Sequence, residues 1–580
     1  MASAGFLSEF PAVATEDWES SVRASIGGSD YPAKLIWHPE EGLAVKPYYR
    51  AEDLRELNIS NAQPGEFPYM RGARTSGDWR IREEIDATDA EQANRSALDA
   101  IAAGAEEISF CGFTLSQQTD LVRLLANLQR IALRFHGTSL HSAGMIADWL
   151  RAFPYGGQVS ADLDPLIDLD ISAGLCSKCP DSRLLSLSAE EFEESGVGAI
   201  EQIALLLSAG AEFLDRMLDR GVSIAESAGT LGFSFSIGSN FFIEVAKLRA
   251  FRLAWSRIVE SFGGDSESAR AVIYARTARW NETVYDPHVN ILRATTEAMS
   301  AIVGGVDSIT VAPFDECYRR ADQASRRLAR NLQLVLKHEA GLARVADPLG
   351  GAYMIEAVTS EIATSAWRSF QGLEAGGGYN KAKAAGLVDL IVHRRRADRS
   401  KAASQRKVVL TGTNRFANPI EEGLGLIEPE MPNCTSRVAR SFEEIRLRSE
   451  KALANGRSPK IALARFGDPK ISDARAQFAA DFLACAGLHV DVRACKTSKE
   501  ISEIEADLIV LCSSDPEYLC VAEELMKFLE QRNRNTLVAI AGNPKSSEDL
   551  KRLGILEFIH LGSNTPEVLT KIQQKLGIGG

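Results

Sequence analysis

Histidine is scarce in this sequence. The 580 residues hold eight, His38, His136, His141, His288, His338, His393, His489 and His560, so chemistry that needs an imidazole has only these to draw on. Long apolar runs are missing too. The longest uncharged stretch, Ser227 to Ile243, has 17 residues and is rich in Ser and Gly. A membrane-spanning helix needs roughly 20 mainly apolar residues, so no membrane partner is expected. Basic residues do not outnumber acidic ones. The balance of 65 Lys and Arg against 78 Asp and Glu, net -13, excludes the broad basic face that a nucleic-acid duplex requires. The first residues, MASAGFLSEFPAVATEDWES, carry no basic segment ahead of an apolar one, so a secretory signal is not expected. Nine cysteines, an odd and scattered set, fit reduced thiols in a cytoplasmic protein.

What is present is alternation. Residues 1–70 read as an irregular N-terminal arm, with a short helix near Asp53–Leu57. From there to 393, short apolar runs alternate with amphipathic helices. Helix Asp89–Ala103 precedes strand Glu107–Phe110, and helix Val289–Val303 precedes strand Ser308–Val311. About 300 such residues fit a parallel α/β barrel or a large doubly wound sheet. Residues 394–457 break the pattern and read as a linker containing a helix at Ser441–Asn455. Residues 458–580 resume it with strands Lys460–Ala464, Val490–Arg493, Leu508–Cys512, Leu537–Ala541 and Phe558–His560, which predict a flavodoxin-like domain.

Single motifs point to little chemistry. Cys176-Ser-Lys-Cys179 has no second pair at zinc spacing and reads as a surface loop. The pairs at Gly229 and Gly232 and at Gly304-Gly305 lack the Lys-Ser/Thr of a phosphate cradle and read as tight turns. Asp347-Pro348-Leu349-Gly350-Gly351 reads as a structural turn. The basic run Arg394–Lys407 reads as a solvated helix end. His288 and His338 have acidic neighbours in sequence but form no evident acid–base group.

The order of segments is more specific. Phe67-Pro68-Tyr69-Met70-Arg71-Gly72, Trp79-Arg80-Ile81-Arg82 and Ala90-Glu91-Gln92-Ala93-Asn94 are followed by Ile237–Ala250. Tyr285–Arg293, Gly304-Gly305 with Phe314-Asp315-Glu316, and Val345–Tyr353 complete the series. Together they resemble the methylmalonyl-CoA mutase family over roughly residues 60–580. The resemblance implies an N-terminal (β/α)8 TIM-type barrel for the acyl-CoA and a C-terminal flavodoxin-like, cobalamin-binding-type domain. The cofactor it implies is adenosylcobalamin, which supplies the radical while the protein supplies an axial ligand and a closed site.

Where that chemistry should sit, this chain departs. Family members carry Asp-x-His-x-x-Gly after the first strand of the second domain, and the imidazole binds cobalt with an acid behind it. The segment Arg465 to Arg475 has no His, and Ser472 stands in the imidazole's place. The family's Ser-x-Leu becomes Ser513-Ser514-Asp515, and its Gly-Gly becomes Gly542-Asn543. In the barrel, Glu191 stands where the family's His hydrogen-bonds the thioester carbonyl, and a carboxylate would repel a developing oxyanion. The opening segment Arg74–Trp79 is about four residues shorter than the family pattern and lacks its Tyr and Arg-Pro. Gln158–Pro165 replaces a Gln-rich strand and loop with one carrying Asp162 and Asp164.

The resemblance therefore implies a small (beta) subunit with no catalytic, cofactor-binding or metal residues of its own. Its partner would be a large (alpha) catalytic subunit carrying adenosylcobalamin in a heterodimer, and the arm is the candidate for wrapping that partner. An autonomous acyl-CoA mutase variant using Glu191 on another substrate is the competing expectation.

Overall fold

The computed structural model describes residues 13–579 except 56, 58–61, 114, 116, 154 and 429–436. Eight parallel strands close into a barrel in chain order. They are β1 (Arg80–Asp86), β2 (Glu107–Cys111), β3 (Ala132–Phe135), β4 (Val159–Leu163), β5 (Arg183–Ser188), β6 (Leu231–Ile237), β7 (Ile273–Thr277) and β8 (Ser308–Thr310). Side chains alternate across each strand. Ile85, Ile108, Phe110, Leu133 and Phe135 face the helices and join the main apolar core.

The inward set is polar. Arg82 donates to Thr310 Oγ1 and to the Ala275 carbonyl, both at 2.6 Å. Arg134 crosses from β3 to Ser234 on β6 at 2.8 Å. The Tyr274 ring serves both cations, 4.0 Å from the Arg134 guanidinium and 5.9 Å from that of Arg82. Glu107 pairs with Arg80 at 2.8 Å and with Arg82 at 3.8 Å. A Cβ on Gly232 would come within 2.7 Å of Tyr274, so glycine there makes room for the ring. The axis is thus filled by Arg82 paired with Glu107 and by Arg134 held between Ser234 and the Tyr274 ring, and such partners are what make charge tolerable away from water.

Helices Ala199–Leu218, Phe241–Ser261 and Tyr353–Ala375 pack together on the outside of the barrel. Gly210 lets the first approach the second, since a Cβ there would lie 2.5 Å from Trp255. Arg249, 1% exposed, pairs with Glu356 at 2.7 Å and with Asp347, which also accepts from Arg71 at 2.7 Å. These pairs hold the turn at Asp347, whose φ is 46°.

The second sheet has the order β10-β9-β11-β12, all parallel. Its strands are β9 (Ile461–Arg465), β10 (Val490–Ala494), β11 (Leu508–Cys512) and β12 (Leu537–Ile540). β11 is buried along its whole length, as expected for a parallel strand covered on both faces. The expected fifth strand, Phe558–His560, is reduced to a single bridge from Phe558 to Ile540. The chain turns immediately afterwards, where Ser563 N donates to the His560 carbonyl.

Four expectations are corrected. The arm is not irregular throughout: it contains helices Thr15–Ser25 and Tyr31–Leu35, and its later turn lies at Ala51–Leu54 rather than Asp53–Leu57. Residues 1–12 fall outside the described part. The arm also returns to its own barrel, burying Leu43 and Val45 and pairing Glu40 with Arg399 at 3.4 Å. The boundary at 393/394 falls inside a continuous helix, Leu387–Ser404.

The basic run is not a solvated helix end. Arg395 pairs with Glu201, Arg396 donates to Ser195 at 2.9 Å, and Arg399 pairs with buried Glu193 at 3.3 Å. Buried carboxylates on the barrel side require such cations. Finally, Cys176 and Cys179 are buried, the first on helix Leu169–Lys178 and the second at its end. The apolar side of that helix, not a surface loop, accounts for them. The described cysteines are all free.

Candidate functional site

Barrel enzymes place their chemistry where the strands end. Here that rim is dense in charge. Arg276 pairs with Glu84 at 3.3 Å and with Glu316 at 2.6 Å, and Arg279 adds a 3.0 Å pair to Glu316. Burial alone would raise the Glu84 carboxyl, but the two guanidinium groups outweigh it and hold it at about 2. Glu194 accepts from Ser236 Oγ and from Arg279 N, each at 2.9 Å.

Glu191 lies beside this rim on the short helix Glu190–Glu194 and is exposed. Its carboxylate has no hydrogen-bond or ion-pair partner among the described residues. No arrangement around it could make it a donor.

One rim pair escaped the sequence reading. His136, just after β3, donates from Nδ1 to the Asp162 carboxylate on β4 at 2.9 Å. Asp162 also accepts from the amides of Gly137 and Thr138 at 2.8 and 2.9 Å. The Asp162 hydrogen bond raises the His136 pKa. Burial opposes ionisation of Asp162, yet the His136 hydrogen bond and charge hold it well below the usual carboxylate range. The signal lay in register, since Phe135 is paired with Ala161 and each partner sits one residue further on.

Beside the rim, a cavity of about 420 Å³ opens between the arm and the loops after β5, β6 and β7. Its walls include Glu41, Glu193, Glu244, Trp280 and Arg399. Burial and the charges of Glu193 and Glu41 push the Glu244 carboxyl up, to about 7, against the 2.6 Å pairing with Lys247. No group of three or more His, Cys, Asp or Glu side chains is arranged to hold a metal among the described residues.

In the second domain, a doubly wound sheet binds ligands at the carboxyl ends of its strands, where strand order reverses. That point lies between β9 and β11. Ser472 is buried and its Oγ donates to the Pro469 carbonyl at 3.2 Å, closing the first turn of helix Pro469–Ala484. Asp515 pairs with Arg475 at 2.8 Å. Asn543 is exposed beside Gly542.

These residues do not fit a corrinoid. A Cβ on Gly467 would overlap the Glu517 carboxylate, and one on Gly542 would overlap the Arg475 guanidinium, so both backbone approaches are already covered. His560 is the one imidazole near this end, where burial and the Arg475 charge push its pKa down. Its Nδ1 accepts from Gly562 N at 3.1 Å. His489 precedes β10, at the opposite end of the sheet, and lines a separate cavity of about 190 Å³.

Known proteins match this arrangement along its length. A family profile described as methylmalonyl-CoA mutase matches residues 38–119 and 134–461. The methylmalonyl-CoA mutase small subunit of Porphyromonas gingivalis is 34% identical, over 99% of this chain and 98% of that one. The small subunit of Streptomyces virginiae is 30% identical, over 98% of each. The large subunit of Streptomyces virginiae is 27% identical, over 76% of this chain and 67% of its own. Similarity to the small subunits runs end to end, whereas similarity to that large subunit stops at about three quarters. The chain belongs to the methylmalonyl-CoA mutase family.

Proposed function

We propose that this chain is the non-catalytic small (beta) subunit of a cytoplasmic, two-subunit methylmalonyl-CoA mutase. It supports a large (alpha) subunit that interconverts methylmalonyl-CoA and succinyl-CoA and carries the adenosylcobalamin. The observation that supports this most is that the chain's own side chains occupy both places a ligand would need. Arg82, Arg134 and Tyr274 fill the barrel axis, and Glu517 and Arg475 cover the cleft of the second sheet. A folded subunit that binds only its partner's native state stabilises that partner by mass action, a role that needs the scaffold and none of its chemistry.

The competing reading, an autonomous adenosylcobalamin-dependent mutase with another substrate, is favoured by one observation. The His136–Asp162 pair keeps an imidazole on the barrel rim. One titration separates the two. The purified chain is titrated with adenosylcobalamin, followed by the corrinoid spectrum, first alone and then with the large subunit. The non-catalytic reading expects no binding by the chain alone, and binding with turnover of methylmalonyl-CoA only when the large subunit is present. Binding and turnover by this chain alone would sink it.

A further inference from the structure

We infer that the cleft of the second domain is shut by a two-part side-chain lock, Glu517 over Gly467 and Arg475 over Gly542. The lock keeps a corrinoid out independently of the missing imidazole. This rests on the non-catalytic reading and goes beyond it, because it states what occupies the cleft and what would reopen it.

The first part sits at the reversal point itself. Gly467 follows β9 with φ at 73°, a conformation glycine adopts freely, and its bare backbone would otherwise face the cleft. Glu517 reaches across from the loop after β11. Its carboxylate accepts from Ser513 Oγ, from Ser514 Oγ at 2.8 Å and from Ser514 N at 3.3 Å. Those hydrogen bonds hold the carboxyl below the usual range. Beneath it, Tyr518 accepts from Ser513 N at 2.9 Å and donates to the Ala541 carbonyl at 2.7 Å. Tyr518 thereby fastens the loop after β11 to the end of β12.

The second part fills the neighbouring gap. Arg475 projects from helix Pro469–Ala484, donates to the Ala541 carbonyl at 3.0 Å and pairs with Asp515 at 2.8 Å. With Ser472 in the place of the imidazole, the glycine of Asp-x-His-x-x-Gly falls on Arg475. On that expected correspondence, an arginine stands where the family motif has no side chain. Glu517 and Arg475 carry opposite charges in adjacent gaps; Glu517 is held over Gly467 by hydrogen bonds within its own loop, and Arg475 is hydrogen-bonded to the strand end it covers. Returning an imidazole at 472 would leave both gaps filled.

The test uses the full-length chain and equilibrium dialysis against adenosylcobalamin, read by absorbance. Four proteins are compared: the natural chain, Ser472→His, Arg475→Gly with Glu517→Ala, and all three substitutions together. The lock expects the triple variant to retain at least about tenfold more corrinoid than either the natural chain or Ser472→His. Retention by Ser472→His equal to that of the triple variant would overturn it. So would a triple variant with native near-ultraviolet dichroism that retains no more than the natural chain. In both cases a natural chain that binds nothing leaves the non-catalytic reading standing, whereas stoichiometric binding by the natural chain defeats that reading itself. A second measurement does not depend on the triple variant folding. Hydrogen exchange at Ser514 N should accelerate about tenfold in Glu517→Ala, and unchanged exchange there would also overturn the lock.

Discussion

The barrel axis and the cleft of the second sheet are both closed by the chain itself, but by different means. In the axis, Arg82, Arg134 and Glu107 are almost wholly buried, and each is set among partners on other strands. Removing one leaves a charge in a place water does not reach, which costs more than the pair itself contributes. At the cleft, Arg475 and Asp515 remain 32% and 45% exposed, so solvent screens their attraction and can replace it. The same outcome, a filled site, is structural in one domain and superficial in the other. The barrel could not be reopened without rebuilding its core, while the cleft is closed by hydrogen-bonded side chains whose removal leaves the core of the second domain intact.

Four measurements can break or sharpen that contrast. The largest effect is expected for Glu107→Gln, which keeps the shape but takes the carboxylate away from Arg80 and Arg82. It should cost about 3–5 kcal/mol in urea unfolding, and a cost below about 1 kcal/mol would remove the distinction between axis and cleft. Next, Gly232→Ala drives a methyl group into the Tyr274 ring. A loss of about 1–3 kcal/mol is expected, seen as a lower Tm; no change would mean that the axis has slack. Arg475→Ala should cost at most about 1 kcal/mol, because its ion pair is half exposed. A cost equal to that of Glu107→Gln would make the two closures alike.

The smallest effect concerns pH. The raised His136 pKa adds stability that is fully present below the unfolded value of about 6.5. That contribution fades as pH rises through the folded value. In Asp162→Asn, the His136 resonances should titrate at lower pH and this segment of the stability profile should flatten. An unshifted titration would show that Asp162 does not control the imidazole.

Much of the fold was legible in the chain, because helices and parallel strands announce themselves by period and by apolar runs. The helix predicted at Val289–Val303 and the strand predicted at Leu508–Cys512 have the observed bounds. The candidate positions Glu191, Ser472, Asp515 and Asn543 were picked out by setting the segments in family order. What was not legible depends on register and on contacts distant in sequence. His136 and Asp162 meet only because β3 and β4 are neighbours. Arg395 and Arg399 look solvated until Glu193, Glu201 and the returning arm are placed beside them. The filling of the axis required knowing that Arg82, Arg134 and Tyr274, from three strands, point into the same space.

The helix Leu387–Ser404 has a further consequence. Its 18 residues span about 27 Å at 1.5 Å per residue. It starts on the barrel side, where Val388 is buried, and ends where Ala403 joins a small apolar cluster with Trp280, Leu410 and Val438. It acts as a beam fixed at both ends, held against the barrel side by Glu193, Ser195 and Glu201. A cut at 393/394 would divide that beam and strand Arg399, with its partners, on separate pieces.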